Sequence, residues 1–244
     1  ITDNLHLYSI EDMSQAPELL ACFLMPVPLM LQCHLPMGDI EHSQPHMQAQ
    51  PTMYTSDPAH RLACLTAHAP GVNCPYNIRV FIISTRIFFD LDGMAAATPI
   101  PWEHWGPSNV RIFTHPHSGG VHISGNRVLQ ALPVRTGDSE FLLHLMDFSP
   151  LAVANSQGLG QVVQEPSTTE VFASNSGRRR SLTTSMPYVQ VVFSNRKFKS
   201  PELENIWIDK DRIYMLIADL KPSTFFGNLT FTRGHNGRFE VIDV

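Results

Sequence analysis

Charge is scarce in this chain: charged residues make up 16% of 244, against roughly 25% in ordinary soluble domains. The 17 Lys and Arg against 22 Asp and Glu leave a formal net charge of −5. A weakly acidic chain lacks the basic field that nucleic acid or an anionic membrane surface attracts. Cysteine is sparse as well. Cys22, Cys33, Cys64 and Cys74 contain no C-x-x-C pair, which argues for reduced thiols rather than a disulfide framework or a zinc site. No long apolar run is present. The richest early stretch, 19–31, is interrupted by Pro26 and Pro28 and is too short to span a bilayer. The chain opens Ile1-Thr2-Asp3, without Met and without a basic segment leading into an apolar one. That start reads as a fragment or processed product with no signal peptide, and the expected location is intracellular, cytoplasmic or nuclear.

Catalytic signatures are equally thin. No serine sits in a G-x-S-x-G elbow, no cysteine has a readable His partner, and there is no P-loop or G-x-G-x-x-G. Gly158-Leu159-Gly160 is too short and wrongly placed to bind a nucleotide. Glu103 and Asp147 read as isolated carboxylates in solvated or turn-bonded roles. The expectation is therefore no catalytic residue, no cofactor and no enzyme.

What is abundant is turn chemistry and β-forming sequence. There are 19 prolines in 244 residues, above the usual ~5%, and few windows sustain helical periodicity. Strand patterns recur at 5–10, 19–27, 61–66, 78–83, 110–113, 121–124, 127–132, 141–148, 189–193, 206–208, 212–217, 229–231 and 239–242. Residues 86–91 read as a strand continuation or a short helix. About a dozen short strands with turn signals every ~8–12 residues indicate an all-β chain. Two stretches read as long loops: 36–58, rich in His, Gln, Pro and Met, and 149–186, with one expected strand at 170–173.

A faint repeat favours a propeller. Residues 125–129 (GNRVL) precede the alternating 142–147 segment, and 209–213 (DKDRI) precede 229–231. The two arginines, Arg127 and Arg212, lie 85 residues apart, about two blades of ~40–45 residues. The expected architecture is a single β-rich domain over 1–244, β-propeller-like and incomplete, with a β-sandwich as the alternative.

Several blocks carry a resemblance. Residues 4–12 (NLHLYSIED), 57–64 (DPAHRLAC), 100–113 (IPWEHWGPSNVRIF), 125–129 (GNRVL), 145–148 (LMDF) and 207–213 (WIDKDRI) resemble the C-terminal propeller-like region of mushroom (basidiomycete) F-box proteins. The most specific block is Pro-Trp-x-x-Trp-Gly-Pro-x-Asn at 101–109. The resemblance implies a protein-binding scaffold that recruits a target, with the ubiquitin-ligase core reached through a Skp-type adaptor and an upstream F-box. No F-box is readable within these residues. The target and its binding residues stay unassigned, with loops at 36–58, 93–101 and 149–186 as the expected rim.

Four features compete with this reading. His115, His117 and His122 are the alternative, a metal-dependent enzyme, because a His-x-His on a strand sets both rings on one face. Asp138 and Glu140 are the nearest downstream carboxylates, and the bland reading is loop and strand-edge histidines. Trp102 and Trp105 could form a recognition platform, but packing with a turn at Gly106-Pro107 is favoured. Arg178-Arg179-Arg180-Ser181 reads either as a solvated basic loop or as a basophilic-kinase site. The Asn228-Leu229-Thr230 sequon is expected inside a strand and idle.

Overall fold

The computed structural model describes residues 4–10, 14–26, 30–34, 61–68, 78–91, 98–115, 121–135, 140–155, 160–173, 178–199, 203–209, 212–218, 220–225, 228–233 and 238–244. In chain order these form β1 (Asn4–Ser9), β2 (Glu18–Leu24), β3 (Met30–His34), β4 (Leu62–His68), β5 (Ile78–Ser84), a 3-10 turn (Thr85–Phe88), α1 (Trp102–Asn109) and β6 (Val110–His115). There follow β7 (Val121–Ser124), β8 (Arg127–Pro133), β9 (Glu140–Asp147), α2 (Pro150–Ala154), β10 (Gln161–Val163), β11 (Ser167–Ala173), β12 (Arg178–Thr184) and β13 (Tyr188–Val192). The last elements are β14 (Phe198–Lys199), β15 (Leu203–Ile208), β16 (Arg212–Ile217), β17 (Leu220–Phe225), β18 (Asn228–Arg233) and β19 (Arg238–Asp243). The chain is all-β, as its sequence indicates. Its named sheets are open and antiparallel, which suits a partial propeller or a sandwich. No described helix is long and apolar enough to cross a membrane. The loop read at 36–58 lies outside the described residues. The sequon does fall in a strand, at the start of β18.

The chain forms two compact units, one from 1–36, 55–117 and 163–188, the other from 37–54, 118–162 and 189–244. In the first, β3-β4-β5-β6 make a four-stranded sheet beside the β1-β2 and β11-β12 hairpins. Alternation along β4, β5 and β6 sends Ala63, Leu65, Phe81, Ile83, Val110 and Ile112 into one core. Their neighbours Leu62, Cys64, Val80, Ile82 and Arg111 are also buried. Burial on both faces explains why these segments read as nearly continuous apolar runs. Cys22 and Cys64 are both buried.

The turn expected at Gly106-Pro107 is instead the body of α1. Trp102 and Trp105, three residues apart, share one face of a helix and stack edge-on, 4.9 Å between centroids at 74°. Phe23 meets Trp105 at 5.5 Å and Phe81 meets Trp102 at 6.2 Å. The Trp105 indole N–H donates to the Leu24 carbonyl at 3.2 Å. Pro107 sits inside the helix with no backbone N–H to donate, while both indoles that the helix carries are buried. Gly106 is required by space: a Cβ there would fall onto the Trp102 ring. The tryptophans are thus core residues, and neither is a surface platform.

The stretch 149–186 is not one long connection; it holds α2, β10, β11 and β12. Its polar composition misleads because β11-β12 exposes one face, carrying Thr168, Glu170, Ser181 and Thr183, and buries Val171 and Leu182 on the other. Of residues 86–91, the first three lie in the 3-10 turn, where the Ser84 hydroxyl oxygen accepts from the Arg86 N–H.

The second unit contains the six-stranded sheet β10-β13-β9-β8-β7, with β14 also on β9, and the sheet β15-β16-β19. Leu129, Leu143, Leu145 and Phe198 from the first sheet share a core with Ile206, Ile213 and Met215 from the second. The segments of the sequence repeat lie in β8, β9, β16 and β18. The strand that partners β16 is β19, while β18, which carries 229–231, pairs with β17.

Candidate recognition surface

In β15-β16-β19, the side chains alternate between the core and the opposite face. Ile206, Ile213 and Met215 point into the shared core. The register sets Trp207 beside Tyr214 and Tyr214 beside Val241, with Leu216 beside Phe239. These five residues therefore occupy the other face. Trp207, Tyr214 and Leu216 are half-buried, whereas Phe239 is 59% and Val241 47% exposed. The Tyr214 and Phe239 rings lie 5.9 Å apart at 31°. At one end of the face, Arg212 Nε donates to Asp243 at 3.1 Å. That hydrogen bond raises the Arg212 pKa above its ordinary value. A sheet face that clusters aromatic and aliphatic groups in water, bounded by an ion pair, has the composition of a docking surface.

The sequence contained the signal. Residues 239–242 read as an alternating strand, and Trp207 and Tyr214 lie in strands already expected. Which parity faced water could not be read, because both parities of β16 are apolar.

His115 ends β6 opposite Ile78 in the first unit, and His122 lies in β7 opposite Leu129 in the second. His117 and Asp138 are outside the described residues. Glu140 is engaged by Lys197 at 3.3 Å. Among the described residues no group of three His, Cys, Asp or Glu could hold a metal ion.

The carboxylates read as isolated have arginine partners. Arg180 contacts Glu103 at 2.6 Å. A hydrogen bond from its own backbone, with Arg180 adding to it, holds the Glu103 carboxyl below its usual pKa. Asp147 accepts from Arg127 Nε at 3.0 Å and from the Ser149 backbone N–H at 2.8 Å, so its turn-bonded role is present together with an ion pair.

Two buried polar groups were not singled out from sequence. Arg111 donates to the carbonyls of Glu165 at 3.0 Å and Thr184 at 3.4 Å and stacks 5.2 Å from the Tyr188 ring centroid. Burial pushes the Tyr188 hydroxyl pKa up, against the pull of Arg111. His144 lies buried on β9 with its Nδ1 3.3 Å from the Gln130 amide. Burial lowers its pKa, opposed by a hydrogen bond with Gln190. Alternation places His144 on one face of β9 with Leu142 and Met146, and pairing with β8 and β13 supplies its polar neighbours, Gln130 and Gln190.

The chain matches no family model, no curated protein and no solved structure.

Proposed function

We propose that this chain is a protein-binding scaffold, the target-recognition region of an F-box protein that delivers a protein to a ubiquitin ligase. The observation that carries the binding part is the outward face of β15-β16-β19, where Trp207, Tyr214, Leu216, Phe239 and Val241 stand together. Large rigid aromatic groups provide much of the energy at protein interfaces, because they bury wide area at small entropic cost. The ligase part is supported by the resemblance to mushroom F-box proteins, whose most specific block here builds the aromatic core around α1. On this reading the protein works inside the cell, requires no cofactor, and reaches the ligase core through an upstream F-box and a Skp-type adaptor.

The test compares tagged wild-type protein, carrying its native upstream residues, with a Phe239→Ser/Val241→Ser variant by quantitative affinity purification. Wild type retains adaptor, cullin and a target, and the variant retains adaptor and cullin but loses the target. Absence of ligase components from both forms would reject the F-box reading. Equal target retention by both would remove this face from recognition.

A further inference from the structure

The β11-β12 hairpin buries one face and opens the other. Val171 and Leu182 are each 3% exposed in the core, while Arg179, Ser181 and Thr183 are exposed. Register places Glu170 directly opposite Ser181 and Thr168 opposite Thr183. The two threonine hydroxyls are 3.0 Å apart. Arg179, two residues before Ser181 and thus on the same face, contacts Glu170 at 3.0 Å, an ion pair that stays largely in water. Arg180 leaves by the other face, to Glu103 and to the Pro26 carbonyl at 3.1 Å.

Three arginines immediately before an exposed serine, with a leucine immediately after it, form a cationic, extended segment in a two-stranded sheet. We infer that Ser181 is a phosphoacceptor for an arginine-directed protein kinase, one whose acidic substrate cleft takes Arg178 and Arg179. A two-stranded hairpin is the least stable kind of sheet and parts more readily than a wide one. Parting frees Leu182 and presents residues 178–182 as an extended strand. The Ser181 Oγ attacks the γ-phosphorus of magnesium-bound ATP, and the new Oγ–P bond forms as the bond from phosphorus to the ADP oxygen breaks. ADP departs with that electron pair, and the hydroxyl proton passes to the kinase's carboxylate base. When the hairpin closes, the phosphate lies in water and no charge is buried. Its charge of about −1.5 to −2 faces Glu170 and lies within reach of Arg179. Arg179 then exchanges Glu170 for the phosphate, because a doubly charged partner with three acceptor oxygens outcompetes one carboxylate. The outward face of the hairpin changes from a neutral ion pair to an anionic patch.

The full chain is incubated with a purified arginine-directed kinase and MgATP, and the phosphate is located by tandem mass spectrometry. One phosphate per chain is expected, on Ser181, and none on Ser181→Ala. Removing either arginine from the kinase cleft should slow transfer about tenfold, so Arg178→Ala/Arg179→Ala is the decisive variant. Phosphorylation should lower the melting temperature of wild type more than that of Glu170→Gln, which lacks the opposing charge. No phosphate on the folded chain, phosphate on Thr183, Thr184 or Ser185 instead, or a rate indifferent to both arginines would overturn the assignment.

Discussion

Two three-stranded arrays in the second unit share one plan and differ in what they bury. In both β7-β8-β9 and β15-β16-β19 a hairpin leads into a middle strand that begins with arginine, and that arginine meets an aspartate at the end of the third strand. Arg127 pairs with Asp147, and Arg212 pairs with Asp243. The first pair is nearly enclosed, its side chains 12% and 13% exposed, while the second is 58% and 86% exposed. Parity accounts for the difference. Arg127 lies on the same face of β8 as Leu129, which enters the shared core, whereas Arg212 lies opposite the core-facing Ile213. One array thus presents its arginine face to the other array's back. Face-to-back stacking of like units is the relation that radial repetition uses. On the arginine face of the last array Phe239 and Val241 stay exposed, while Trp207 and Tyr214 are half-buried.

The likeness of the two arrays is broken most severely at their shared core. Met215→Ala, at a fully buried position, should cost about 2–5 kcal/mol in urea unfolding, and an effect below about 1 kcal/mol would mean the arrays do not rely on that core. The two ion pairs offer the next contrast. Asp147→Asn leaves Arg127 enclosed without its counter-charge and weakens the acceptor for Ser149, a loss of about 2–3 kcal/mol. Asp243→Asn should leave the unfolding midpoint where it was, since exposed pairs are screened. Equal losses would show that parity does not set the difference.

A smaller effect separates the arrays by pH. His144 is buried with its pKa lowered, so below its ordinary value of about 6.5 the unfolded chain binds a proton that the folded chain resists. Stability is complete above that value and falls as pH drops through it, by at most about 1.4 kcal/mol per pH unit. His144→Gln should flatten this slope between about pH 7.5 and 5.5 in denaturant titrations, and an unchanged slope would assign it to other histidines. The smallest effect belongs to the exposed face. Phe239→Ser and Val241→Ser should each shift stability by about 0.5 kcal/mol or less, which is what qualifies them to probe binding without unfolding.

Much of the fold was legible. The strands read at 61–66 and 78–83 are present with residues buried on both faces, and the two arginines of the sequence repeat, Arg127 and Arg212, begin β8 and β16. The hairpin at 167–184 was hidden because, among its described residues, Val171 and Leu182 are the buried apolar ones, and most of the residues around them are polar. The α1 helix was hidden because Gly106-Pro107 carries a stronger local turn signal than two tryptophans carry a helical one. The candidate face was hidden by β16 itself, whose sequence RIYMLI is apolar on both parities.

Strand character follows from local composition, because β-branched and aromatic side chains with frequent prolines leave the backbone few alternatives to short extended segments. To that extent the sequence by itself determined an all-β chain and most of its strand positions. Partner choice depends on distant groups. Only the tertiary structure decided that β16 pairs with β19 rather than β18, that Trp102 and Trp105 close a helix, and that Phe239 and Val241 face water. Each of those outcomes is set by which surfaces meet across long stretches of chain, where loop closure adds little cost for added length and the gain comes from burial.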